Sequence, residues 1–145
     1  MRKYWCGVAS KEHVQIGYNE GFCQLCHGKN YPLERMNVGD WIIYYSPVYK
    51  YKSDEKFQKF TAIGEIVGKN VYSFEMFPGF TPYRRDVKYY SCSNVSIHDL
   101  LNDLDFTKGI LKWGYKFRYG HFELSEHDFK LISYNMLGIN ILNEE

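Results

Sequence analysis

Apolar positions come mostly in short runs and adopt helical spacing at only a few places. The run Lys3 to Ser10, "KYWCGVAS", is rich in rings and β-branched residues and predicts a first strand. Ser10 then stands where an N-cap belongs, with Val14 and Tyr18 at helical spacing behind it. A turn over Asn37 to Asp40 leads into the apolar run Trp41 to Tyr45, a buried strand ended by Ser46-Pro47. The next stretch, "VYKYKSDEKFQK", mixes both signs of charge and reads as an exposed loop. Phe60 to Val67 and Val71 to Met76 are predicted to pair as a hairpin turned at Gly68-Lys69-Asn70.

Pro78 and Pro82 flank Gly79-Phe80 in a stiff loop that runs into a strand from about Arg84 to Tyr90. Ser96 suits the cap of a short helix, and several glycines separate the rings of "FTKGILKWGYKFRYGHFEL" before a strand near His121 to Leu124. The last element is an amphipathic helix capped by Ser125, with Phe129, Ile132 and Met136 on one face and Gly138 as its stop. Five or six short strands and a few helices in no strict alternation predict an α+β fold around a curved sheet or small barrel. With no repeat, low-complexity run or linker, residues 1–145 are expected to form a single domain.

Composition adds two constraints. Aromatic residues make up 19% of the chain, fourteen of them Tyr, which suits concave binding surfaces where each hydroxyl needs a partner or water. Eighteen basic residues against seventeen acidic ones give a net charge of +1, so any polyanion site must be local. The apolar stretch after Arg2-Lys3 is too short for a signal peptide, and no run reaches membrane-spanning length. A cytoplasmic location with four reduced cysteines is therefore expected.

Cys23-Gln24-Leu25-Cys26-His27 has a spelling shared by haem attachment, a redox pair and half a zinc site. Haem attachment belongs as a rule to exported chains, and a zinc site needs a second close pair of ligands where Cys6 and Cys92 stand alone. A redox pair favours a helix start after a strand, whereas Gly21 and Gly28 flank a loop here. The segment is expected to be a shaped loop whose thiols pack, leaving Gln24 and His27 as its polar members; no cofactor or metal is expected.

Taken in order, "YWCGVASKEHV", "GFCQLCHGK", "GDWIIYYSP", "FTAIGEIVG", "FPGFTPYRRDV" and "WGYKFRYGHFEL" resemble the EVE domain family over almost the whole chain. These are PUA-like proteins related in fold to the YTH readers of methylated adenine. The resemblance implies a PUA-like curved sheet or pseudo-barrel with flanking helices, and a pocket for a modified base in DNA or RNA. The residues are compatible with such use, since an unpaired base is read by aromatic stacking and by hydrogen bonds to its edge. Trp5, Trp41, Tyr44, Tyr45, Phe80 and Trp113 could stack; Ser10, Gln24, His27 and Ser46 could meet an edge; Arg84, Arg85, Lys116 and Arg118 could hold phosphate. Trp41 could equally be core, Ser10 a helix cap, and one of Arg84 and Arg85 structural, because adjacent strand residues point to opposite faces. The expected pocket lies between the end of the first strand and the Gln24 and Trp113 loops of a non-enzymatic reader. The alternative is an enzyme or metal/redox protein centred on Cys23, Cys26 and His27, in which Cys26 would be the nucleophile and His27 its base.

Overall fold

The computed structural model describes residues 1–144. Its strands are β1 (Tyr4–Val8), β2 (Phe22–Cys23), β3 (Trp41–Val48), β4 (Lys56–Ile66), β5 (Tyr72–Ser73), β6 (Tyr83–Tyr90), β7 (Val95–Ser96) and β8 (His121–Leu124). The helices are α1 (Lys11–Glu20), α2 (Tyr31–Glu34) and α3 (Glu126–Leu137), with 3-10 turns at Ile97–Asp99, Trp113–Tyr119 and Ile141–Glu144. One curled mixed sheet runs in the order β2-β6-β4-β3-β1-β8, with β5 on β6 and β7 on β4. β1 lies parallel to β3, and its other neighbour β8 is antiparallel. This is the α+β curved sheet with flanking helices that the alternation predicts.

The unbroken apolar run of β3 reflects a strand covered on both faces. Trp41, Ile43 and Tyr45 face a core completed by Cys6, Phe60 and, from α3, Phe129, Ile132 and Met136. Ile42 and Tyr44 face a second core with Trp5, Val14, Cys23, Leu25, Leu33 and Met36. The predicted caps form: Ser10 Oγ accepts from the His13 N–H, Ser96 Oγ from His98 and Ser125 Oγ from Asp128. Gly138 ends α3 at φ +74°.

Three features differ from expectation. β4 starts at Lys56, inside the stretch read as an exposed loop. It does not pair with the segment after its turn; it pairs with β3 and, in register Ile63↔Tyr90 to Ile66↔Val87, with β6, and the strand at Tyr72–Ser73 pairs with β6 as well. The backbone N–H groups of Val67 and Gly68 both donate to Asp86 O, which closes the end of β4 onto β6. β3 also continues through Pro47 to Val48. The register shifts between Ser46 and Val48, opposite Gln58 at φ +54°, so the proline faces an interrupted ladder that needs no donor from it.

Candidate functional site

An open cleft of about 710 Å³ lies where β1, β8, α2 and the Trp113–Tyr119 turn meet. Its lining includes the rings of Trp5, Tyr31, Tyr119 and Phe122 and the cations Lys3, Arg35 and Lys116, with His121 and Glu123. The volume falls in the range of small-ligand sites. The geometry starts from Asp40, buried just before β3. Its carboxylate accepts from the Lys3 backbone N–H at 3.0 Å, the Asn37 N–H at 2.9 Å and the Trp5 indole Nε1 at 3.0 Å. These bonds fix the Trp5 ring, which stacks on His121 at 4.7 Å between centroids and 13° between planes.

Arg35 lies across the same pair. Its guanidinium is 5.1 Å from the Trp5 ring centroid, and Nη2 donates to His121 Nδ1 at 3.0 Å and to His121 O at 3.2 Å. A guanidinium can only donate, so Nδ1 accepts and the imidazole proton is assigned to Nε2. Burial pushes the His121 pKa down to about 3, with the Arg35 charge adding to the shift. His121 is therefore neutral at physiological pH. Its Nε2 is buried and has no hydrogen-bond partner among the described residues.

Lys3 lies 5.9 Å from the Trp5 ring and Lys116 5.4 Å from that of Phe122. Among the described residues, none of Lys3, Arg35 and Lys116 is ion-paired to a carboxylate. Three cations against Glu123 give the lining a charge of +2, while the whole chain carries +1. The rest of the molecule thus sums to −1, so the lining is more positive than the remainder taken together. Such interleaving suits a polyanion whose bases can stack.

Of the residues singled out from sequence, Trp5 and Lys116 line this cleft, and Arg118 lies exposed on the turn that borders it. Lys3, Tyr31, Arg35, Tyr119, His121, Phe122 and Glu123 are the members that sequence reasoning missed. The rest have other places. Tyr45 is core, stacked on Phe117 at 3.8 Å, and Ser46 is buried against the Thr61 hydroxyl at 2.8 Å. Trp41 and Tyr44 belong to the two cores. Ser10 caps α1. Arg85 staples α2 to β6, its Nη1 donating to Leu33 O at 2.8 Å and Met36 O at 2.5 Å and its Nε to Gly68 O at 2.9 Å.

Gln24 and Trp113 are not brought together. Gln24 is buried between Cys23 and Leu25 of the α1-side core, and its Oε1 accepts from Arg84 Nε at 2.6 Å. Trp113 packs against the α3-side core, edge-on to His98 at 5.5 Å. Phe80 is half-buried and pairs with the Phe77 ring at 5.2 Å.

The Cys26-His27-Gly28 stretch is a left-handed turn, with φ of +50°, +62° and +83°. Gly28 is required there, since a Cβ would sit 2.4 Å from Pro82 Cβ and 2.9 Å from Pro82 Cα. Cys26 Sγ donates to Tyr119 O at 3.7 Å, which ties this turn to the rim of the cleft. Burial pushes the pKa of Cys23 up to about 12 and raises that of Cys26, so both thiolates are disfavoured near neutrality. His27 is exposed, its ring 6.1 Å from that of Tyr51. Among the described residues, Asp105, His127 and Asp128 bring possible metal-ligand atoms within 4.8 Å. The buried Asp128 carboxylate already accepts from the backbone N–H groups of Asp105 and Phe106, which makes this a helix-capping network.

Comparison with known proteins gives a consistent picture. The model of the EVE domain matches residues 3–135. A Bacillus licheniformis protein named "UPF0310 protein in gntR 5'region" is 51% identical over 130 residues, covering 90% of this chain and 88% of its own. The UPF0310 protein YdcG of Bacillus subtilis is 46% identical over 138 residues, 95% and 94% of the two chains. A solved structure of a hypothetical protein from Leishmania major superposes with a TM-score of 0.58 at 14% identity, covering 100% of this chain and 98% of that one. At that identity the likeness speaks for the fold alone.

Proposed function

Because the chain belongs to the EVE domain family, whose fold is PUA-like, we propose that it is a non-enzymatic, single-domain binding module of the cytoplasm that holds nucleic acid and reads a modified nucleobase at the cleft of Trp5, Tyr31 and Tyr119. The observation that carries this reading is the lining itself: the exposed rings of Tyr31 and Tyr119 beside three cations that have no carboxylate partners among the described residues. Rings supply stacking, which tolerates any base, and the cations supply phosphate contacts that fix the strand. His121, neutral and stacked on Trp5, backs the cleft without adding a further charge.

The alternative enzyme centred on Cys23, Cys26 and His27 has weaker support, since nucleophilic cysteines have lowered pKa values and burial raises both of these. No helix among the described residues is long and apolar enough to cross a membrane.

Tyr31 and Tyr119 are 57% and 61% exposed, so their removal should spare the fold. In a titration against single strands with and without modified bases, Tyr31→Ala and Tyr119→Ala are expected to weaken binding by about 1–3 kcal/mol each, as on loss of a stacking ring. Lys116→Ala should weaken modified and unmodified strands alike and reduce the salt slope by about one. Unchanged affinity in all three folded variants would move the interface off this cleft.

A further inference from the structure

Arg84 is a buried cation that makes no direct ion pair among the described residues. On β6 it faces away from its neighbour Arg85, and its contacts are Phe22 of β2, Gln24 just after β2, and Phe74. Its guanidinium carbon lies 3.8 Å from the centroid of Phe22 and 4.2 Å from that of Phe74, in cation–π contact with both rings. Nε donates to Gln24 Oε1 at 2.6 Å. The residue is only 5% exposed, and a guanidinium cannot shed its proton to relieve burial.

Among the described residues no carboxylate meets that charge in direct contact. Asp86, the next residue on the same face of β6, has Oδ1 occupied by the Tyr72 hydroxyl at 2.7 Å. His13 is held toward its neutral form by burial and by the Arg84 charge, so it adds no second positive charge there. Glu20 acts on Arg84 only through space. Removing a charge from water without a partner is costly, and cation–π contacts offset only part of that cost.

The donors left over have a defined direction. Neither Nη atom of Arg84 has a hydrogen-bond partner among the described residues, and neither is fully sealed from solvent. With two rings against it and Nε tethered, the guanidinium presents its Nη edge, a planar fork that matches two oxygens of an oxyanion. We propose that this edge is an oxyanion-binding site for a phosphate group, framed by Phe22, Phe74 and Gln24 and separate from the Trp5 cleft. It needs no assumption about that cleft, and the phosphate could belong to a nucleic-acid strand or to a small phosphorylated molecule.

The test is a titration of the isotopically labelled protein with inorganic phosphate, against chloride at equal ionic strength, followed at the Arg84 Nε–H and the backbone amides of Phe22, Gln24 and Arg84. A saturable shift specific to phosphate is expected. It should be lost in Arg84→Lys, which keeps the charge but not the fork. It should be several-fold weaker in Phe74→Ala, a half-exposed position whose loss opens one wall and which serves as the test if Arg84→Lys does not fold. Displacement of bound phosphate by an unmodified single strand would assign the site to a strand, and its absence to a small phosphorylated molecule. A response no larger than with chloride, or one unchanged in Arg84→Lys and Phe74→Ala, would overturn the proposal.

Discussion

Burial dictates the charge of His121 and thereby links the stability of the protein to pH. Its folded pKa of about 3 lies below the ordinary value of 6.5, so the unfolded chain binds a proton that the folded one refuses between those limits. Stability from this group is complete above pH 6.5 and is lost as pH falls toward 3. His13, held toward its neutral form in the same way, adds to the trend. In urea unfolding across that window the parent should lose a few kcal/mol, because each tenfold difference in proton affinity between the folded and unfolded chain is worth about 1.4 kcal/mol. His121→Gln, which can still accept from Arg35 but does not titrate, should flatten the dependence. An identical slope in parent and variant would mean that the imidazole is not held neutral. The same scale explains why C-x-x-C-H misleads: the five letters name three chemistries, while the chain uses them for a buried thiol and a left-handed turn docked on Pro82.

At the scale of elements, what a few neighbouring residues encode was legible. Ser10, Ser96 and Ser125 cap the helices that follow them, and β8 and α3 fall where periodicity and Gly138 place them. Strand pairing was not, because a Gly-Lys-Asn turn says nothing about the distant β6, whose Asp86 carbonyl holds the N–H groups at the end of β4. Close approaches are hidden in the same way. Gly17 lies within α1, where alanine ordinarily favours a helix by about 1 kcal/mol. Here a Cβ would come within 2.6 Å of Phe22 O, a carbonyl held by the Tyr89 hydroxyl at 2.9 Å. Gly17→Ala should therefore destabilise the protein, by about 1–3 kcal/mol as for other overpacked sites. Thermal or urea unfolding checks the sign, and a gain in stability would mean that α1 does not pack on β2 this closely.

For the whole molecule, the site is a meeting of segments far apart in the chain: Lys3 and Trp5, Tyr31 and Arg35, Lys116 to Glu123. Sequence reading names two of the cleft's members, Trp5 and Lys116. It cannot show that α2 carries Arg35 onto Trp5, since α2 is four residues long and has no periodicity. It also makes Trp113 a pocket wall, on the grounds that a ring in a glycine-rich loop lacks a packing reason, yet the loop folds that ring against the α3-side core. The three tryptophans consequently mark three places: Trp5 the cleft, Trp41 the core, and Trp113 the 3-10 turn beside His98. The most direct test of the central claim is to follow the three indole N–H resonances while a single strand carrying modified bases is titrated into the protein. Binding at the cleft should move the Trp5 signal, whose N–H bonds to Asp40, and leave that of Trp41 in place. A response at Trp113 with Trp5 unmoved, or no response at any of the three under saturating strand, would contradict it.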